Sequence, residues 1–229
     1  MRRDGGSSTV VKLVLSLGGG LVVLLVLAQV ILPRIAVSRI RSRVGRYGKV
    51  QSVSVSAWPA VELLWGDVGS MHVRAKSLSL SPAQAASLLW EAKGTASMDV
   101  SAESAQVGSL RLTDASLRKH GSSLTAEAVT SEAAVKEALP EGFSVRLLRS
   151  TGGEVEVQAT GGLFGVGATV NAVAGASDGK LVAHPLGFLI EGLQLTLFSD
   201  PHVYVEGVGA SVTSGQPLSY KLTMSARLH

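Results

Sequence analysis

Between Val50 and Leu80 the chain alternates apolar and polar residues in two runs joined by an apolar connection. In the first run Val53, Val55 and Ala57 alternate with Ser52, Ser54 and Ser56, the period of two of a strand with one buried face. In the second, Met71, Val73 and Ala75 alternate with His72, Arg74 and Lys76. After Lys76 the apolar phase slips onto Leu78 and Leu80, which predicts a bulge or sharp bend of the kind that curves sheets. The connection holds Trp58, Leu63, Leu64 and Trp65 where a hairpin ordinarily places small polar residues. Such a connection either folds under the sheet as core or meets an apolar ligand or a membrane.

Further along, the pattern changes to helical. Ser81-Pro82-Ala83-Gln84 supplies an N-cap, a proline at the first helical position and the glutamine of a capping box, so a helix is expected as far as Lys93 with Gly94 as its stop. Leu88, Leu89, Ala85 and Ala92 fall on its inner face, with Trp90 offset towards a rim. Gln106 to Val129 reads as two strands around the turn His120 to Ser123. Leu110 and Leu112 occupy one phase there and Ala115 and Leu117 the other, implying a second bend. A second short helix, Ser131 to Leu139, is ended by Pro140 and Gly142.

Beyond Phe143 the chain reads as strand after strand: Phe143 to Leu148, Gly153 to Ala159, Val166 to Ala174, Lys180 to His184, Leu193 to Phe198, Val203 to Val212 and Tyr220 to Leu228. Asp178-Gly179 marks a tight hairpin turn. Sequential pairing of these strands predicts an α+β domain, an elongated, strongly curved, mainly antiparallel sheet with two short helices against it.

Composition adds a membrane to this picture. Leu13 to Leu32 is a run of twenty residues without a formal charge, about 30 Å long as a helix and so matched to a bilayer core. It is expected as one N-terminal transmembrane helix, a signal-anchor. The alternative is a signal peptide cleaved after Ala28, for which Arg2, Arg3 and Lys12 give the basic leader. The organisation that follows is a cytoplasmic N-terminus at 1–12, the anchor or signal peptide at 13–32, a basic amphipathic linker helix at 33–49 and one α+β domain at 50–229. In the linker, Ile35, Ile40 and Val44 oppose a side filled by arginines, as in a helix lying at a membrane surface or an ordinary solvated linker. Those arginines follow the apolar run and favour a cytoplasmic domain by charge alone. Long domains are translocated largely regardless of charge, and the leader favours export. The net charge of +4 fits an anionic membrane surface better than nucleic acid, because basic residues are not interleaved with aromatics. With no cysteine, disulfides and thiolate metal sites are excluded.

Catalytic chemistry has little support in the sequence. The five histidines are scattered, and none stands at helical spacing from another metal ligand. Asp200-Pro201-His202, preceded by Ser199, is too tightly bunched for a relay and reads as a turn in which Asp200 accepts backbone N–H groups. The glycines of Gly161 to Gly167 match no phosphate-binding loop and suit a bend or a close approach to the backbone. No catalytic residue, metal site or cofactor is expected.

The segments PRIAVSRIRSRVGRYGKVQSVSVSAWPAVELLWGDVGSMHVRAKSLSLSP, SLRLTDASLRK, GLFGVGATVNAVAGASDGKL and LTLFSDPHVYVEGVGA, in this order, resemble the LmeA-like family of bacterial cell-envelope phospholipid-binding proteins. The resemblance spans Pro33 to Leu228. It implies an exported, membrane-associated, non-enzymatic domain that holds phospholipid in an apolar groove, supports envelope lipid maintenance or transfer, and has a fold like the tubular lipid-binding modules. Envelope biosynthetic enzymes are further candidate partners. On this reading Trp58, Leu63, Leu64, Trp65, Leu88, Leu89, Leu163 and Phe164 line or gate the groove, and Arg74, Lys76 and Arg111 meet the head group. Two rivals stay open: a ligand-free membrane-anchored scaffold that docks an envelope enzyme, and a hydrolase using Asp200 and His202.

Overall fold

A computed structural model of the chain describes residues 35, 37–56, 68–163, 166–187, 193–213 and 217–229. The expected anchor at 13–32, the Trp58 to Trp65 connection and Phe164 lie outside these residues. Among the described residues no helix is long and apolar enough to cross a membrane.

Helix α1 (37–44) leads into β1 (Gly48–Ser56) and β2 (Val68–Leu80). Helix α2 (Pro82–Glu91) follows, then β3 (Thr95–Val107), β4 (Leu110–His120) and β5 (Ser123–Ser131). Helix α3 (Glu132–Ala138) precedes β6 (Ser144–Thr151), β7 (Glu154–Leu163), β8 (Val166–Ser177), β9 (Lys180–Leu186) and β10 (Leu195–Phe198). The chain closes with β11 (Val203–Thr213) and β12 (Ser219–Leu228). The strands form two sheets where the pattern predicted one. Sheet A has the order β1-β2-β3-β4-β5-β12-β11 and sheet B the order β10-β9-β8-β7-β6.

Most neighbours are antiparallel, as alternation and short turns dictate, but β2 and β3 run parallel. The crossover that parallel pairing needs is α2 itself. Ser81 and Gln84 form the expected capping box, with Gln84 N–H donating to Ser81 Oγ at 3.2 Å and Ser81 N–H donating to Gln84 Oε1 at 2.8 Å. The helix ends at Glu91, short of Lys93, and it buries Ala86 in place of Ala85.

One face of sheet A carries the core. Ala86 of α2 packs with Leu124, Val203, Ala226 and Leu228, and Leu89 and Phe198 close over this cluster. A second cluster of Met71, Val73 and Met98 is covered by Ile40 and Val44 of α1 and again by Leu89. The linker helix therefore spends its apolar side on the sheet, and the Arg43–Glu91 ion pair joins it to α2. The opposite face is polar, with cross-strand pairs such as His72–Asp99 and Lys221–Glu127.

Both predicted bends are present. The β1–β2 register shifts beside Lys76, where Lys49 pairs with Ser77 but Val50 with Ala75. The β4–β5 register shifts between Thr113 and Ser116, around Asp114 at φ +49°. These bulges lie at one level of the sheet, because Ala75, Ala102 and Ala115 are partners across β2, β3 and β4, as are Leu78, Ala105 and Leu112.

Lys119 is the exception on the core face. It is paired with Met98 and Leu124, is 3% exposed, and donates from Nζ to the carbonyls of Lys93, at 3.1 Å, and Thr95. It thus satisfies backbone acceptors where the chain leaves α2, and burial holds its amine below the usual lysine range.

Sheet B meets sheet A through its hairpin tips. Strand β11 is an edge of sheet A, and three of its outward N–H groups are taken by sheet B: Val205 donates to Gly179 O and Val208 to Gly153 O, both at 2.9 Å, and Ala210 donates to Ser150 Oγ at 3.0 Å. Turns of sheet B thereby cover an edge that would otherwise be open for pairing.

Candidate functional site

One face of sheet B is apolar and lies outside both core clusters. Register aligns Leu147, Val157, Ala172 and Pro185 in one row across β6 to β9. Val155, Ala174, Ala183 and Leu195 make a second row from β7 to β10. Val145, Ala159 and Val170 make a third. The residues of these rows are half-buried, apart from the more exposed Leu195, and none belongs to either core cluster. Helix α2 packs on β2, and α3 packs mainly on β4 and β5 and touches sheet B at β6. The reverse face of the same strands is polar in the corresponding row, where Gln158 Nε2 donates to Asn171 Oδ1 at 3.5 Å beside Arg146.

The face is long as well as aliphatic. Strands of 8, 10 and 12 residues (β6, β7 and β8) extend about 26–40 Å at about 3.3 Å per residue. The three aliphatic rows run from Val155 to Ala159 of β7, about 13 Å, close to the ~15 Å depth of one leaflet of bilayer hydrocarbon. At its outer end the ring of Phe143 lies against Gly161, so closely that a Cβ there would stand 2.4 Å from the ring. The glycine-rich stretch therefore serves a close approach, here by an aromatic ring of the chain itself.

The residues singled out from the sequence are not all gathered at this face. Leu89 is core, touching both clusters, and Leu88 is half-buried beside it on α2. Leu163 pairs with Val166 at the β7–β8 tip. Arg74 and Lys76 are exposed on β2 and alternate with buried Val73 and Ala75, so Arg74 points away from the side on which Leu89 packs. Arg111 forms an ion pair with Glu137 of α3 at 3.1 Å. The three head-group candidates thus stand on sheet A, apart from the aliphatic rows of sheet B. Trp58, Leu63, Leu64, Trp65 and Phe164 lie outside the described residues.

The residues that make the aliphatic face, Val155, Val157, Ala172, Ala174 and Ala183 among them, were not singled out by sequence. Their alternation is plain, but alternation reads the same for a filled core and for an open face.

Polar clusters are few. Asp200 Oδ1 accepts from His202 N–H at 2.9 Å and lies 3.1 Å from His202 Nδ1, the expected turn leading into β11. The His202 ring stacks on Trp90 at 4.3 Å, and Lys93 Nζ sits 3.7 Å from the centre of the Trp90 ring. Trp90 is thereby a clasp between α2 and the β10–β11 turn. Tyr220 is buried, and its phenol is pushed up by that burial and by Glu132, with Arg146 opposing. Among the described residues no three His, Asp or Glu side chains gather to hold a metal.

Comparison with known proteins returned nothing: no family model, no curated protein and no solved structure matches this chain.

Proposed function

We propose that this chain is a non-enzymatic phospholipid-binding protein of the cell envelope, anchored by its N-terminal apolar segment with the domain on the extracytoplasmic side. The observation that carries the reading is the aliphatic face of sheet B, whose rows lie outside both core clusters. A sheet face of valines, alanines and leucines is stable only against another apolar partner, and each acyl methylene laid on it in place of water is worth about 0.8 kcal/mol. The site needs few fixed polar contacts, in keeping with an apolar ligand held mainly by its chains. The anchor supplies the bilayer as source, and the resemblance to the LmeA-like family points the same way.

Photo-crosslinking tests this in the full chain. The protein is reconstituted with a phospholipid bearing a diazirine on its acyl chain, irradiated and mapped by peptide mass spectrometry. Crosslinks are expected in β7, β8 and β9, at Val157, Ala172 and Ala183 and their neighbours. Crosslinks confined to residues 13–32 would mean that the domain holds no lipid and would favour the scaffold.

A further inference from the structure

Three of the exposed large apolar side chains lie on or just before the edge strand of sheet B: Leu193, Leu195 and Leu197, exposed by 60%, 63% and 50%. Strand β10, which carries two of them, is the sheet's edge and pairs only with β9. From Leu193 to Ser199 the chain has no charged residue. Edge strands in soluble surroundings are ordinarily guarded by lysine, glutamate or proline, and this one has none of these.

The same edge is poorly made for pairing with another strand. Its register shifts between Thr196 and Phe198, so Leu197 is an extra residue that interrupts the ladder while its side chain stays exposed. Four residues with such an interruption offer a second copy little hydrogen bonding. The leucines also lack the aromatic and arginine anchors that centre stable protein interfaces. An uncharged aliphatic edge suits a partner that needs no directional contacts, and bilayer hydrocarbon is that partner.

Continuity decides what such a contact does. Leu195 lies across from Ala183, and so belongs to the row Val155, Ala174, Ala183 of the aliphatic face. A lipid moving from a bilayer to that face through water would expose its chains at about 0.8 kcal/mol per methylene, a prohibitive sum over two chains. An apolar edge in the bilayer that runs directly into the face removes that gap. We infer that the β10 edge docks into the bilayer surface and is the side from which phospholipid acyl chains enter. This rests on the phospholipid reading above and adds the route.

The chain has no cysteine, so a single introduced one can be labelled without removing others. Leu195→Cys, Leu197→Cys and, as a control on the polar face of sheet A, Ser54→Cys would carry nitroxides in the full chain reconstituted in phosphatidylcholine–phosphatidylglycerol vesicles. The expected result is a ratio of oxygen to nickel-chelate accessibility several-fold higher at 195 and 197 than at 54. Equal, water-like ratios would overturn the inference, as would dipolar broadening between labels at 195 that marks pairing of two copies. The acyl-chain crosslinks separate the two proposals. Labels in water with β8 and β9 crosslinked remove the route and leave the lipid face, whereas immersed labels without those crosslinks leave the docking edge and remove the lipid face. The variant Leu195→Ser/Leu197→Ser, altered only at exposed positions, is expected to keep its folded circular dichroism and lose most of the β8 and β9 crosslinks.

Discussion

Lys119 shows how one residue can be placed by pattern and still be missed. It follows Ala115 and Leu117 in the inward phase of β4, so alternation alone directs it into the core, where a lysine is out of character. What it does there, closing the carbonyls of Lys93 and Thr95, depends on α2 crossing above it and is invisible along the strand. Lys119→Met leaves those acceptors without a donor and is expected to lower stability by about 1–3 kcal/mol, measured by urea unfolding. The pH dependence has a definite sign. Because burial lowers the folded amine's pKa below 10.5, there is a window beneath 10.5 in which the unfolded chain holds a proton that the folded chain has released. Unfolding free energy therefore rises with pH through that window on account of Lys119, and is unaffected by it below. Tyr220, whose pKa is raised, acts oppositely above pH 10. The difference between wild type and Lys119→Met isolates the lysine, and a difference that shrinks with rising pH would show the assignment to be wrong.

At the scale of the element, local signals carried most of the structure. Helix α2 begins at the predicted cap Ser81 and α3 at Ser131, one of the two candidates Thr130 and Ser131, and each strand expected after Phe143 is found, because caps, turns and alternation are written in neighbouring residues. The phase slip between Leu112 and Ala115 likewise announced the bulge, whose strain falls on Asp114 at φ +49°. Aspartate tolerates that conformation and a β-branched residue does not. Asp114 is exposed, so substitutions there read the backbone with little interference from packing. Asp114→Gly is expected to be neutral or slightly stabilising, and Asp114→Val to cost about 1–3 kcal/mol. Equal urea midpoints for the two variants would mean that the bulge carries no strain. Partner choice was not legible: β5 beside β12 and the division into two sheets depend on segments distant in sequence, and the consecutive strands β2 and β3 pair parallel where antiparallel pairing is expected. For the same reason the aliphatic rows of sheet B could be read strand by strand but not as one open surface.

Over the whole molecule, everything proposed for sheet B depends on how it is held to sheet A, and that joint is narrow. It consists of hairpin tips against the edge of β11, with Gly179 O and Gly153 O accepting from Val205 and Val208 and Ser150 Oγ from Ala210, together with Phe198 of β10 on the core of sheet A. Gly179 is needed twice. Its φ of +74° suits glycine, and a Cβ there would stand 2.3 Å from the ring of Tyr204, which itself packs edge-on against His229. Gly179→Ala therefore strains the turn and pushes Tyr204 aside at the point where Val205 donates. A loss of about 1–2 kcal/mol at the joint corresponds to roughly five- to thirty-fold faster amide exchange. That acceleration is expected at Val205 and at the neighbouring tip amides, while amides of β12 paired with β5, such as Leu222 and Met224, keep their protection. Uniform acceleration through both sheets would instead make them one cooperative unit, and the tip contacts would then be no separate joint. With the joint loosened and sheet A intact, acyl-chain crosslinks to β8 and β9 should fall only if the orientation of sheet B against the membrane is what presents its aliphatic face to lipid.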